Sequence, residues 1–420
     1  MSHIEIKDFG SITHCEIEVK HITILIGQQA VGKSVIAKAC YFFKEFYSVY
    51  FEKAFILCLT KTQFEKDVLE KFQALFPRYT WEKRAFSMKY TCDEYSITIW
   101  ADHSRQGRTK LNISYSKSIN DYLNKCKKEY KKLLSEKSGD ENNFSFKALA
   151  EYRAAKTTIK NCLSGTNLNS HVRSGNIFIP ASRSFFANLQ KNIFTFLASN
   201  IEIDPLVKEF GKMYESLKRI YLNYPKGGQR ISGRLKKIGQ EIIKGEYTYE
   251  DDKDWITGDN GKINLANASS GQQEAIPMLI VLCSLPYRDD EKSDITIFIE
   301  EPEAHLFPSA QKSVVSMLSI ITTEAKYPIF ITTHSPYILS AINILITAGD
   351  VDHNNKKPDI TSVIGNAKPI RFEDVAAYNI TKGRAESIVD QDNRLIGVNI
   401  IDEVSDIFDQ NLDALLQMQD

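Results

Sequence analysis

Gly27 and Gly32 frame a short loop that ends in Lys33 and Ser34, a spacing typical of loops that wrap a phosphate. Glycines let backbone N–H groups approach the phosphate, a lysine reaches its outer oxygens, and a serine hydroxyl can ligate Mg²⁺. A β-branched stretch, 21–26, precedes the loop, and apolar residues at helical spacing follow it, which is the strand–loop–helix context that the motif requires. We therefore predict a nucleotide site here. Its predicted contact residues are Gly27, Gln28, Gln29, Ala30, Val31, Gly32, Lys33, Ser34 and Val35.

A second run of small polar residues, Ser269, Ser270, Gly271 and Gln272, stands at the predicted start of an apolar helix. The N-terminus of a helix attracts anions because its first N–H groups are unpaired and carry the positive end of the helix dipole. This run can therefore face a second phosphate. Taken alone, it is better explained as a helix cap without a ligand.

Carboxylates and a histidine follow two further apolar stretches. The stretch 294–299 ends in Glu300 and Glu301, and the stretch 327–333 ends in His334. Ligand sites of α/β sheets form at the carboxyl ends of parallel strands. Successive strand residues point to opposite sides, so we predict that Glu300 holds Mg²⁺ and that Glu301 accepts a proton from an attacking water. His334 would then contact the terminal phosphate or that water, although a lone histidine is more often structural.

The composition indicates one large α/β domain with insertions, since 43% of the 420 residues are hydrophobic. A net charge of zero excludes a global attraction to nucleic acid or membrane. Seven scattered cysteines without a C-x-x-C pair favour a reducing compartment. The N-terminus has the alternation of a strand rather than of a signal peptide, and no apolar run is long enough to cross a bilayer. We expect a cytoplasmic protein without membrane contact.

Periodicity predicts the elements that position these groups. They are two or three strands before the loop, an antiparallel meander at 84–116, two helices around a break at 138–143, a strand at 175–181, mostly helix over 184–245, an acidic turn-rich stretch at 246–262, and a loop at 349–353.

We expect these elements to form three segments. Residues 1–116 make the N-terminal part of a nucleotide-binding head with the phosphate loop and the meander. Residues 117–260 make a mostly helical insertion, of which the strand 175–181 returns to the head. Residues 261–420 complete the head with the other motifs.

Together, the four motifs resemble those of ABC-type ATPases. Gly27–Ser34 is similar to Walker A, 269–272 to the signature, "IFIEEPEAHLFP" at 297–308 to Walker B with its D-loop, and "TTHSP" at 332–336 to the switch histidine. The match covers the first 60 residues and roughly 262 to 345. "FGSI", "IPASR" and "AAYNITKG" are further similar to the branch that contains RecF, SMC-like ATPases, OLD proteins and the ATPase subunits of bacterial anti-phage systems.

The resemblance implies ATP and Mg²⁺ as cofactors and assigns a role to each motif. Lys33 and Ser34 hold phosphate and Mg²⁺, Glu300 takes the place of the usual aspartate, Glu301 is the catalytic carboxylate, and His334 is the switch. Two heads of this family face each other, so the signature would bind the γ-phosphate of a neighbouring copy, and we expect a homo-oligomer. Ala268 in place of the usual leucine and Ser270 in place of the first glycine are mild departures.

The resemblance favours the ATP-hydrolysing sensor or scaffold of a PARIS- or Septu-type defence system that controls a separately encoded effector nuclease. The alternative is a RecF/SMC-like DNA repair or maintenance ATPase, which the short helical insertion disfavours. Too short a stretch follows His334 for the TOPRIM domain of OLD proteins, so we expect none. "GDVDH" at 349–353 imitates an acidic metal pair but lies beside polar loop residues, and we expect no metal there.

Two features stay open on the sequence alone. The segment 208–244 holds ten Lys or Arg against three Glu, including Arg230, Arg234, Lys236 and Lys237. It is either a solvated helix face or a contact for DNA or an acidic phage protein. Arg183, at the end of a predicted strand, is either a structural ion-pair residue or a nucleotide contact.

Overall fold

The computed structural model describes residues 2–103, 109–136, 154–155, 157–159, 161–187, 203–223, 231–259, 261–287, 295–353 and 359–397. These residues form a large mixed sheet flanked by helices, which confirms the predicted α/β class. Within them, no helix is both long and apolar enough to span a membrane.

Sixteen strands are assigned within this part of the chain. They are β1 Ser2–Phe9, β2 Ile12–Val19, β3 Ile22–Ile26, β4 Phe86–Cys92, β5 Tyr95–His103, β6 Thr109–Tyr115, β7 Gly175–Ile179, β8 Glu246–Glu250, β9 Lys253–Gly258, β10 Gly261–Asn264, β11 Ile295–Glu300, β12 Ile329–Thr333, β13 Val375–Thr381, β14 Arg384–Ser387, β15 Val389–Asp390 and β16 Leu395–Ile396. Eleven of them make one sheet in the order β6-β5-β4-β1-β2-β14-β13-β3-β12-β11-β7.

The helices that the structure describes lie mainly on the two faces of this sheet. The α-helices are α1 Lys33–Glu45, α2 Phe51–Ile56, α3 Lys61–Leu75, α4 Lys117–Glu136, α5 Leu168–Arg173, α6 Pro205–Leu222, α7 Ile231–Ile243, α8 Ser270–Ser284, α9 Pro308–Thr323, α10 Pro336–His353 and α11 Thr361–Ile364. A π-helical stretch, Phe46–Tyr50, joins α1 to α2. α4 confirms the first predicted insertion helix, whereas the break at 138–143 lies outside the described residues.

Parallel strands form the centre of the sheet. β3 pairs with β12 on one side and β13 on the other, and β11 and β7 follow beyond β12, all in parallel. Every residue of β3, β11 and β12 is buried, because helices cover both faces of a parallel sheet. Alternate residues therefore enter two separate cores: Ile297 and Ile299 enter one, and Phe298 enters the other, where it stacks on Phe178 and Phe330.

The antiparallel half of the sheet agrees with the periodicity. β1 and β2 form a hairpin, and β4, β5 and β6 form the predicted meander against β1. Three strands therefore precede the phosphate loop. The alternation of polar and apolar residues predicts these strands because one face of each is buried.

Two predicted stretches differ from the structure. The sequence predicts turns for the acidic stretch 246–262, but β8, β9 and β10 build a three-stranded antiparallel sheet, in which Asp254 is buried. The predicted loop at 349–353 is wrong, because these residues end α10. There, the Asp350 carboxylate pairs with the Arg394 guanidinium at 2.8 Å.

Gly349 in α10 provides a test of the packing. A Cβ atom at this position would lie 2.2 Å from the Ile370 carbonyl oxygen. Although alanine favours a helix over glycine by about 1 kcal/mol, the clash is expected to dominate, and Gly349→Ala should lower the free energy of unfolding by about 1–3 kcal/mol. Gly239→Ala in α7 is the matched control, since its nearest neighbour would be the Leu279 side chain at 3.6 Å. Urea denaturation measures both, and equal effects would contradict this packing.

Candidate functional site

The carboxyl ends of three adjacent parallel strands bring the predicted chemical groups together. β12 lies between β3 and β11, with Ile26 opposite Thr333 and Glu300 opposite Thr332. The loop that begins at Gly27, the two glutamates and His334 therefore leave the sheet at one edge. This is where α/β sheets bind ligands.

Two glycines shape the loop before α1. Gly27 and Gly32 have φ angles of 151° and 106°, a region that residues with a Cβ atom avoid. A Cβ on Gly27 would lie 2.3 Å from the Ile380 carbonyl oxygen, and one on Gly32 would lie 2.8 Å from the Ile12 side chain. The loop is thus held between β13 and the β1–β2 hairpin. Gln28, Gln29, Ala30 and Ser34 are exposed around it, while Val31 and Val35 are half-buried.

Lys33 places a buried cation inside the loop. Its Nζ donates to the carbonyl oxygens of Gly27 at 2.8 Å and Gln28 at 2.7 Å, and it lies 3.3 Å from His334 Nδ1. Burial lowers the pKa of Lys33 to about 8, and the nearby charges of Glu301 and Glu303 oppose this shift.

Glu300 is a buried carboxylate with an oxygen left over. Burial raises its pKa, while the Ser34 hydroxyl, which hydrogen-bonds to it, and the charge of Lys38 act in the opposite direction. Oε2 accepts a hydrogen bond from the Ala181 backbone at 3.4 Å, and Oε1 is buried without a hydrogen-bond partner. An unsatisfied carboxylate oxygen beside a hydroxyl is a donor set that suits a hard cation such as Mg²⁺. Ser34 and Glu300 therefore fit the predicted metal.

Glu301 stands on a strained backbone. Its φ of 44° is left-handed, which costs a residue with a Cβ atom roughly 1–2 kcal/mol. Its carboxylate is 38% exposed and lies 3.2 Å from His334 Nε2. His334 thus stands between Lys33 and Glu301, and three residues from three separate motifs form one chain of polar contacts.

Glu303 belongs to the same cluster and was missed by the sequence analysis. One of its buried oxygens accepts hydrogen bonds from Thr333 Oγ1 at 2.7 Å and from the His334 backbone N–H at 2.8 Å. It therefore fixes the backbone that carries His334. The signal was present as a third acid in "EEPEAH", but nothing in the sequence shows that it turns inward.

The second run of small residues forms a complete helix cap. Ser269 Oγ accepts from the Gln272 N–H at 3.3 Å, and the Gln272 side chain accepts from the Ser269 N–H at 3.2 Å, which is a capping box. Gln272 also donates to the Ile243 carbonyl at 2.8 Å. Ser269 and Ser270 are exposed, whereas a Cβ on Gly271 would lie 2.7 Å from the His305 carbonyl oxygen. The capping interpretation thus describes these residues within one chain.

Arg183 lies on the buried side of Glu300 and Glu301 and not on their exposed side. Its side chain is fully buried, pairs with Glu274 at 3.5 Å, and donates to the backbone carbonyls of Glu300 and Glu301 at 2.7 and 2.9 Å. The sequence left two roles open for Arg183, an ion pair or a nucleotide contact, and the structure shows the ion pair.

Part of the basic segment 208–244 is engaged internally. Arg234 pairs with Glu324, and Lys236 stands 4.9 Å above the Tyr221 ring. Lys237 is exposed, and Arg230 lies outside the described residues. Fewer free charges remain than the sequence count indicates.

A family model described as an AAA ATPase domain matches residues 1–339. The chain belongs to the AAA ATPase domain family. An ATPase domain of the P-loop type is therefore confirmed.

The chain also has weaker similarities to several known proteins. The Old nuclease of Escherichia phage P2 is 37% identical over 82 residues, which are 19% of this chain and 14% of that protein. The chain thus matches only a small part of that nuclease. Among solved structures, it is similar to the SMC head domain from Thermotoga maritima (12% identity, 92% and 97% of the two chains, TM-score 0.35) and to the recombination mediator protein RecF (11%, 92% and 97%, 0.30). TM-scores this low support no statement about function.

Proposed function

We propose that this chain binds ATP with Mg²⁺ at the strand ends and hydrolyses it. The observation that carries the proposal is the polar chain from Lys33 through His334 to Glu301, at the edge where an AAA ATPase domain exposes its phosphate loop. Lys33 would hold the outer phosphates, and Ser34 with Glu300 would hold Mg²⁺, which neutralises phosphate charge when bound. Glu301 would accept the proton of the attacking water, and His334 would orient that water or the γ-phosphate.

Two substitutions separate binding from hydrolysis. Lys33→Ala should abolish ATP binding, because it removes the cation of the loop. Glu301→Gln should keep binding and lose hydrolysis by a factor on the order of 10²–10⁴, since the amide preserves the shape but cannot take a proton. Calorimetry and phosphate release measure the two effects. If Glu301→Gln hydrolyses ATP at the wild-type rate, Glu300 becomes the candidate base.

We also propose that ATP joins two copies head to head, with Ser269, Ser270, Gly271 and Gln272 of one copy on the nucleotide of the other. The exposure of Ser269 and Ser270 at the start of α8 supports this, because a second copy can reach them. Phe307, in the loop that carries the glutamates, is 77% exposed, which is unusual for a large aromatic side chain and suits a contact with a second copy.

Mixing two inactive variants tests the shared site. Ser269→Glu places a carboxylate near the neighbour's γ-phosphate, and like charges about 4 Å apart cost roughly 4 kcal/mol at an effective dielectric of 20. This variant should bind ATP but neither assemble nor hydrolyse. Mixed with Lys33→Ala, which keeps its signature, it should regain part of the activity, because one complete site forms.

Thr60→Glu is the matched control for this mixture. Thr60 is also an exposed helix cap with a capping box, at the start of α3. It should leave assembly and hydrolysis intact. Mixed dimers that form but stay inactive, or an active Ser269→Glu variant, would show that the signature does not act across copies.

The biological role we propose is that of a sensor or scaffold subunit of a bacterial anti-phage defence system of PARIS or Septu type, controlling a separately encoded effector nuclease. The similarity to a protein named Old nuclease supports a link to nucleases. Lys237 and its exposed neighbours in 208–244 would bind DNA or an acidic phage protein. No observation favours the RecF/SMC-like repair role, and the cytoplasmic location stays a prediction.

Phage challenge distinguishes these roles. Cells that carry the gene with its neighbouring genes should resist phage, and Lys33→Ala should remove the resistance. ATP turnover by the purified chain should not depend on double-stranded DNA. DNA-stimulated turnover in a chain that gives no protection would instead indicate a repair ATPase.

A further inference from the structure

Arg183 is a buried cation that hydrogen-bonds to the backbone of Glu301, the proposed catalytic glutamate, and of the residue before it. One guanidinium nitrogen donates to the carbonyl oxygens of Pro180 at 2.8 Å and Glu300 at 2.7 Å, and the other donates to that of Glu301 at 2.9 Å. Charge-assisted hydrogen bonds of a planar guanidinium have a fixed geometry. The Glu301 carbonyl therefore cannot turn without breaking one of them.

Glu274 links Arg183 to α8, called here the signature helix because it begins with the signature residues. It lies on α8, one helical turn after Gly271, and is itself buried. Its carboxylate accepts from the backbone N–H groups of Arg183 and Ser184, each at 3.1 Å, and its carbonyl accepts from Arg183 Nε at 3.0 Å. Three hydrogen bonds therefore join the first turns of α8 to the loop after β7.

A second contact joins the same helix to the same loop. Gly271 lies so close to the His305 carbonyl that a Cβ atom would stand 2.7 Å from it. His305 and Glu301 both have left-handed φ angles, 58° and 44°. Such conformations persist only where the surroundings hold them, and here the start of α8 supplies part of that support.

We propose that Arg183 and Glu274 are positioning residues for Glu301, and that they make hydrolysis in one site depend on the signature helix that serves the other. The inference rests on the proposed ATPase function and its shared sites. Nucleotide held by the partner contacts the start of α8, and any shift of α8 reaches Glu301 of the same chain through the Glu274–Arg183 pair. The two sites of a dimer are thereby coupled.

The test compares binding with turnover. Glu274→Gln keeps the shape of the side chain but removes its charge, and Arg183→Lys reaches fewer carbonyls. Each should leave ATP affinity unchanged and reduce kcat by about 100-fold, the loss typical of a catalytic group misplaced by about 1 Å. If Glu274→Gln does not fold, Arg183→Lys, which keeps the buried positive charge, carries the test.

Asp254→Asn is the matched control. Asp254 forms another buried ion pair, with Lys218 Nζ at 3.1 Å, between β9 and α6. Its loss should lower the melting temperature as the loss of Glu274 does, but it should leave kcat per folded molecule unchanged. A fall in kcat for Asp254→Asn equal to that for Glu274→Gln would mean that general destabilisation, not positioning, explains the effect.

The double variant tests whether both residues act along one path. Arg183→Lys with Glu274→Gln should be no slower than the slower single variant, because residues that act as a unit are not additive. Losses that multiply would overturn the shared path. Wild-type kcat in both single variants would overturn the inference and leave the ATPase proposal standing, whereas an inactive wild-type protein would instead refute the ATPase proposal.

Discussion

The in-register parallel pairing of β3, β12 and β11 is the constraint on which the site depends. Because β12 lies between the other two strands, all three end at one edge, and Lys33, His334 and Glu301 come within contact distance although up to 301 positions separate them in the chain. A register shift of one residue would turn every side chain to the opposite face. Isoleucines of all three strands enter one core, whereas Leu25, Phe298 and Phe330 enter the other, and this division opposes such a shift.

The site has one part in which the charged side chains are buried and another part that is exposed to solvent. On the loop side, buried charges are paired or shielded: Lys33 by backbone carbonyls, Glu303 by Thr333, and Arg183 by Glu274. Among the described residues of the site, Glu300 and Glu303 each keep one buried carboxylate oxygen without a hydrogen-bond partner, and the one of Glu300 lies beside the Ser34 hydroxyl, which suits a cation. Ser269 and Ser270, at the start of α8, are exposed instead. This asymmetry is what a site shared between two copies requires, because each copy would supply the part that the other lacks.

Local patterns were sufficient to predict the strands before the phosphate loop, the meander, β7, β11, β12, the loop itself and the acids at the strand ends, because spacing and alternation report burial directly. β13, which pairs with β3, was not predicted. They failed where partners distant in sequence decide the structure. In the acidic stretch at 246–262, which folds as strands, the buried Asp254 carboxylate pairs with the Lys218 ammonium, 36 positions away in the chain. The end of α10 stays helical beside Arg394. The contacts of Glu303 and of the Arg183–Glu274 pair could not be predicted for the same reason. No spacing rule connects residues 91 positions apart, as Arg183 and Glu274 are.

The central claim, that ATP is shared between two copies, is tested most directly by the molar mass of Glu301→Gln in solution. Light scattering after size-exclusion chromatography should give the mass of one chain without nucleotide and twice that mass with ATP and Mg²⁺, because the variant traps the bound γ-phosphate between the copies. A single-chain mass at an ATP concentration that saturates binding would contradict the claim.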